Sequence, residues 1–172
     1  MTKIQGEIGG FTPFYLAALH GHFNVCQLFI EHGVDATKTK IDTGDTALHL
    51  SAEKGHYSIC HLIVESTKKI KVPIAPPPPS STVPFPLKSP LLLPLNKYPM
   101  NDWKQVPLHL AAKYGHLDIC KLLLENSVYK EKLLADWNGK TPLDYAKMMN
   151  HYEVQKYLKS IIDHELGNNP KI

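Results

Sequence analysis

The stretch "PLHLAAKYGHLDICKLLLEN", residues 107–126, decides how this chain folds. A proline opens it, and at the first position of a helix the missing N–H costs nothing. Leu108 and Ala112 follow at helical spacing, Gly115 can end the turn in a left-handed conformation, and Ile119, Leu122 and Leu123 resume the pattern. The reading predicts two short helices around a tight reversal, each apolar along one stripe. A unit of this size cannot cover its own stripe and needs neighbours of the same kind.

Those neighbours are present. "TPFYLAALHGHFNVCQLFIEHG" (12–33), "TALHLSAEKGHYSICHLIVES" (46–66) and "TPLDYAKMMNHYEVQKYLKS" (141–160) repeat the arrangement. Aligned on Thr12, Thr46, Val106 and Thr141, the four units are separated by 34, 60 and 35 residues. Thr12 and Thr141 are placed to cap the first helix, ahead of Pro13 and Pro142. Leu16 with Ala17, Leu48 with Ala52, and Leu143 with Ala146 continue the apolar spacing. Gly21 and Gly55 occupy the place of Gly115, and Asn150 takes it in the fourth unit. Gly10, Gly44 and Gly139 stand two places before the anchor, where a turn with positive φ suits glycine. The third unit departs here: Lys104 replaces that glycine, and Val106 replaces the capping threonine at a cost of ~1 kcal/mol.

One spacing could be mistaken for chemistry. His22 with Cys26, His56 with Cys60, and His116 with Cys120 each place an imidazole and a thiol on one helical face. A zinc site needs about four ligands converging on one point. These pairs recur once per unit and so fall in register along a stack, with the thiols on the apolar stripe, where cysteine acts as a small hydrophobe. Gln155 replaces the thiol in the fourth unit. No G-x-S-x-G elbow, P-loop or paired-carboxylate constellation accompanies the histidines, so no enzyme activity, metal or other cofactor is expected.

The bulk numbers narrow the partners. Net charge is +3 and all 19 basic residues are lysine. Recognition of base edges and phosphates is mostly arginine work, which argues against nucleic acid. The apolar patch "PLLLPL" falls far short of the roughly 18 residues of a membrane span, and no apolar segment of signal-peptide length opens the chain. Three cysteines, an odd number, point to a reducing compartment, the cytoplasm or nucleus.

"TALHLSAEKGH", "PLHLAAKYGH" and "TPLDYAK" resemble the T-P-L-H-x-A-A-x-x-G-H signature of the ankyrin repeat, and the period of the units agrees. The resemblance covers residues 9–66 and 101–160. It implies an all-α solenoid of helix-turn-helix units with hairpin or turn fingers, binding a protein partner on its concave side. His49 and His109 are then expected to hydrogen-bond the neighbouring turn, with Tyr15 and Asp144 in their place in the outer units. Residues 1–70 hold units one and two, 71–100 a proline-rich insert, 101–160 units three and four, and 161–172 a polar tail.

Carried over position by position, the resemblance assigns partner contacts to the finger tips and the exposed ends of the first helices. Unit one contributes Phe11, Leu19 and His20; unit two contributes Asp42, Thr43, Asp45, Glu53 and Lys54. Unit three contributes Asp102, Trp103, Gln105, Lys113 and Tyr114; unit four contributes Trp137, Asn138, Lys140, Met148 and Met149. Both tryptophans of the chain are in this set.

The insert, residues 73–99, holds ten of the fourteen prolines and cannot continue a helix. It reads either as a solvent-exposed loop or as a ligand for an SH3 or WW domain, with Pro73, Pro76 and Pro79 at PxxP spacing. Two units alone bury too little core, so the two halves are expected to stack across it. A second class of function stays open: a regulatory or substrate-recruiting piece of a larger ubiquitin ligase, kinase or ion channel.

Overall fold

The computed structural model describes residues 12–38, 40, 42–69, 100–126 and 134–167. Phe11, Gly10 and the insert 73–99, with its PxxP spacing, lie outside the described residues. The described residues form eight helices and no sheet: α1 (Pro13–Leu19), α2 (Phe23–Glu31), α3 (Ala47–Lys54), α4 (Tyr57–Lys69), α5 (Pro107–Tyr114), α6 (Leu117–Asn126), α7 (Pro142–Met148) and α8 (Tyr152–Gly167). Residues 161–167, read from sequence as the start of a polar tail, continue α8.

Each helix begins where the chain offers a cap. Thr12, Thr46 and Thr141 accept the backbone N–H three residues on, at 3.2, 3.4 and 3.3 Å. Val106 has no side-chain oxygen to do so, and its helix starts on Pro107 alone. Asn150 takes a positive φ of 60° in the place of the reversal glycines, and Lys104 one of 57° in the place of the finger glycine.

Single-sided helices then stack in two layers. The first helices form one series, α1 on α3, α3 on α5, α5 on α7; the second helices form another, α2 on α4, α4 on α6, α6 on α8. The α3–α5 and α4–α6 contacts carry the stack across the insert. Leu48, Ile59, Ile63, Leu108, Ile119, Leu123 and Leu158 fill the spine between the layers, and Cys26, Cys60 and Cys120 are buried in it.

Two ladders of histidine tie unit to unit. In the first, His49 Nδ1 accepts the N–H of Thr46 at 3.1 Å, which leaves Nε2–H to donate to the Gln105 carbonyl of the next unit at 2.9 Å. His109 repeats this with Val106 and with the Leu134 carbonyl, at 3.1 Å each. Asp144 ends the ladder by accepting the N–H of its own capping residue, Thr141, at 3.0 Å. The second ladder runs backwards. His56, His116 and His151 point Nε2 at the carbonyls of Leu19, Glu53 and Lys113 in the preceding unit, at 3.2, 3.0 and 3.0 Å. Each of these rings lies against the reversal glycine of that unit, Gly21, Gly55 or Gly115.

Candidate protein-binding surface

The fingers are shaped by a polar side chain placed five residues before each anchor. Asp136 Oδ1 accepts the N–H groups of Asn138 and Lys140 at 2.8 and 2.9 Å. Asn101 Oδ1 does the same for Trp103 and Gln105 at 3.1 and 2.8 Å. Both side chains are buried. Consecutive fingers are joined by main-chain bonds of 3.0 Å, Asp102 N–H to the Thr43 carbonyl and Trp137 N–H to the Trp103 carbonyl. That register sets the two tryptophans on neighbouring tips, 47% and 69% exposed.

The last two units present a basic and aromatic surface. The Lys104 ammonium sits 5.1 Å from the Trp137 ring centroid, and that of Lys113 lies 5.4 Å from Tyr114 and 5.8 Å from Tyr145. Met148 and Met149, at the end of α7, are exposed, as is Tyr114. The second unit is acidic by contrast. Asp42 is exposed 3.5 Å from Lys40, and Glu53 pairs with Lys54 at 2.8 Å.

Other residues assigned to the surface turn inward. Asp45 Oδ1 accepts from Asn101 Nδ2 at 2.8 Å, bridging units two and three. Gln105 Nε2 donates to Asp136 Oδ2 at 3.2 Å and to Tyr145 Oη at 3.0 Å, while the Tyr145 hydroxyl donates to Asp136 at 2.6 Å. Burial works to raise the Asp136 pKa, but bonds from Tyr145, Lys140, Gln105 and Asn138 overcome it and hold the carboxyl at about 2. Burial first, then the neighbouring Asp136, push the Tyr145 phenol up. Thr43 and Leu19 are partly covered, and their carbonyls serve the stack. His20 is exposed at the end of α1, its ring 6.2 Å from that of His22. Asp102, Asn138 and Lys140 are exposed on the tips. Sequence reasoning missed Asp136, Asn101, Lys104 and Tyr145 as builders of this surface.

None of these groups is set up for bond-making. Among the described residues no group of three or more His, Cys, Asp or Glu is placed to hold a metal ion. Burial pushes the thiols of Cys26, Cys60 and Cys120 up to about 11, 12 and 12, where the reactive thiolate is scarce. A cleft of about 560 Å³ lies between the ends of α2 and α4, lined by Ile30, Val34, Leu62 and Glu65 among others. No described helix is long and apolar enough to cross a membrane.

Comparison with known proteins decides the family. A model of ankyrin repeats in three copies matches residues 2–74 and 89–168, most of the chain. The chain belongs to the ankyrin repeat family. Ankyrin repeats are generally protein–protein interaction modules, and the family is typically without catalysis. Similar curated proteins include alpha-latrotoxin-Lh1a of Latrodectus hasselti, 46% identical over 66 residues, 36% of this chain and 5% of the toxin. The mitochondrial liver isoform of glutaminase from Rattus norvegicus is 41% identical over 56 residues, 33% of this chain and 9% of that protein. The matched stretches thus span under a tenth of either relative, and the likeness is one between ankyrin units.

Proposed function

We propose that this chain is a non-catalytic adaptor that binds a protein partner along its finger tips and the ends of α3, α5 and α7. What carries the reading is the pair of exposed indoles, Trp103 and Trp137, held on adjacent tips by the bond between their backbones. Large rigid aromatics left in water are costly unless covered by a partner, and tryptophan is over-represented among binding hot spots. The charges around them give the partner a polarity. An acidic stretch suits Lys104, Lys113 and Lys140, and a basic stretch suits Asp42 and Glu53 of unit two.

Three unbridged cysteines support a cytoplasmic or nuclear setting. The segment 73–99 supplies a second docking element for an SH3 or WW domain, on the strength of its PxxP spacing. The likeness to a short stretch of a much longer glutaminase supports one further reading, in which the chain acts as the recruiting part of a larger enzyme or channel.

Affinity capture on the intact chain, then on the chain lacking 73–99, separates partners that read the solenoid from those that read the insert. For a partner of the solenoid, Trp103→Ala and Trp137→Ala should each weaken binding roughly 30-fold, as expected of hot-spot residues. Lys159→Ala, on the exposed face of α8, should leave binding unchanged. Because both indoles are exposed, thermal stability should hold within a degree or two, on the order of a surface change. Melting that falls as for a core substitution, with affinity intact, would show the rings to be packing elements and not contacts.

A further inference from the structure

We propose that the leading face of α1 and α2 docks the trailing face of one more ankyrin-type helix pair, carried by a partner protein. The chain supplies its own internal standard for this. Val25, Ile59, Ile119 and Val154 hold the same position in the four units, yet Val25 is 42% exposed and the other three are 1% exposed. Unit four has a described neighbour only ahead of it, and its Val154 is buried. Unit one has a described neighbour only behind it, and its Val25 is open. The preceding unit is therefore what covers this position. Leu28 follows the same rule, 55% exposed where Leu122 of unit three is 5% exposed.

The polar register agrees with the apolar one. His56, His116 and His151 each point Nε2 at a first-helix carbonyl of the preceding unit. His22 holds the same position in unit one; it is exposed, and no such carbonyl faces it among the described residues. The face thus offers an apolar strip and a hydrogen-bond donor in the geometry that three other units use.

The occupant's chemistry can be read from the surfaces that already fit. Ahead of units two, three and four stand Ala18, Ala52 and Ala112, each fully buried, with a carbonyl one residue further on at Leu19, Glu53 and Lys113. A partner needs that small residue and that free carbonyl. A second copy of this chain lacks them. Its own trailing face carries exposed Lys147 in the alanine position, 3.9 Å from Asp144, and covering it would strip an ammonium of water. Two leading faces set against each other would bring together imidazole donors with no carbonyl to accept them.

The test titrates the full-length chain with a three-repeat consensus ankyrin array lacking its C-terminal capping repeat, and with the same array capped. Saturable binding of the uncapped array alone is expected. Val25→Lys combined with Leu28→Lys should weaken it at least 30-fold, on the order of losing two buried aliphatic side chains. His22→Ala should weaken it about fivefold, one hydrogen bond's worth, and serves alone should the lysine pair fail to fold. No binding of the uncapped array, equal binding of the capped one, or insensitivity to these substitutions would overturn the proposal. So would a dimer of the chain by itself that the lysine pair dissolves, which would make a second copy the occupant. No finger residue is altered, so the outcome is independent of the tryptophan experiment.

Discussion

Gly115→Ala is expected to destabilise the protein by about 3 kcal/mol or more, by two separable routes. The residue ends α5 at φ 81°, a conformation that costs an L-residue ~1–2 kcal/mol. A Cβ added there would also meet His151 Nδ1 at 2.5 Å and Cε1 at 2.7 Å. That ring cannot retreat without breaking its bond to the Lys113 carbonyl, which holds α8 against the preceding unit. Losing the bond and leaving the carbonyl covered adds at least ~1 kcal/mol. Gly139→Ala is the control, since its φ is 69° and nothing lies within 4 Å of its Cβ position. Chemical denaturation of the two variants should therefore separate by the steric part. Equal losses would mean that the imidazoles of the second ladder are not packed on the glycines.

The second large effect is on acid stability. His49 and His109 are fully buried, and burial pushes both pKa values down from 6.5, outweighing the opposing pull of Asp45 on His49 and of Asp136 on His109. Geometry gives the same direction. Each Nδ1 accepts a backbone N–H, so a proton added there would face a donor and remove the acceptor. The unfolded chain therefore takes up these protons first as pH falls. Stability should be level above about pH 6.5, decline below it, and level off once pH has passed the lowered folded values. Each group contributes a slope of up to ~1.4 kcal/mol per pH unit, roughly twice that for the pair within the window. Urea titrations at stepped pH measure it. His49→Gln with His109→Gln should flatten the curve, and a wild-type curve no steeper than that of the double variant would contradict the assignment.

How much of this was legible in the residues depends on whether a feature repeats. The capping threonines, reversal glycines and apolar stripes recur at one period, so they stand out, and the structure places them as read. The irregularities at Lys104, Val106 and Asn150 were visible for the same reason, as departures from a pattern. His49 and His109 were expected on the neighbouring turn and are found there. The finger staples were hidden because Asn101 and Asp136 correspond to Ile41 in unit two, so no recurring letter marks them. The second ladder was misplaced in emphasis. Spacing pairs His56 with Cys60 on one helix, whereas the ring's bond is to a carbonyl 37 residues earlier.

Surface assignments fared unevenly for a related reason. A residue type at a given repeat position says where its Cα lies, not whether a neighbour claims its side chain. Gln105 and Asp45 occupy tip positions but are drawn into bonds with Asp136, Tyr145 and Asn101, contacts set by residues that vary between units. Trp103 and Trp137 meet no such claim and stay exposed. The open face at Val25 was invisible in sequence, because Val25 reads as an ordinary stripe residue and its exposure depends on what stands ahead of it.

The central claim is that four units, two on each side of the insert, share one continuous spine. The direct measurement is urea unfolding followed at once by helix circular dichroism and by tryptophan fluorescence. Trp103 and Trp137 are the chain's two tryptophans and report units three and four alone, whereas the helix signal reports all four. A continuous stack predicts one transition with coincident curves, and the same coincidence in a chain lacking residues 73–99. Fluorescence and helix signals that part company, with one half melting before the other, would contradict it.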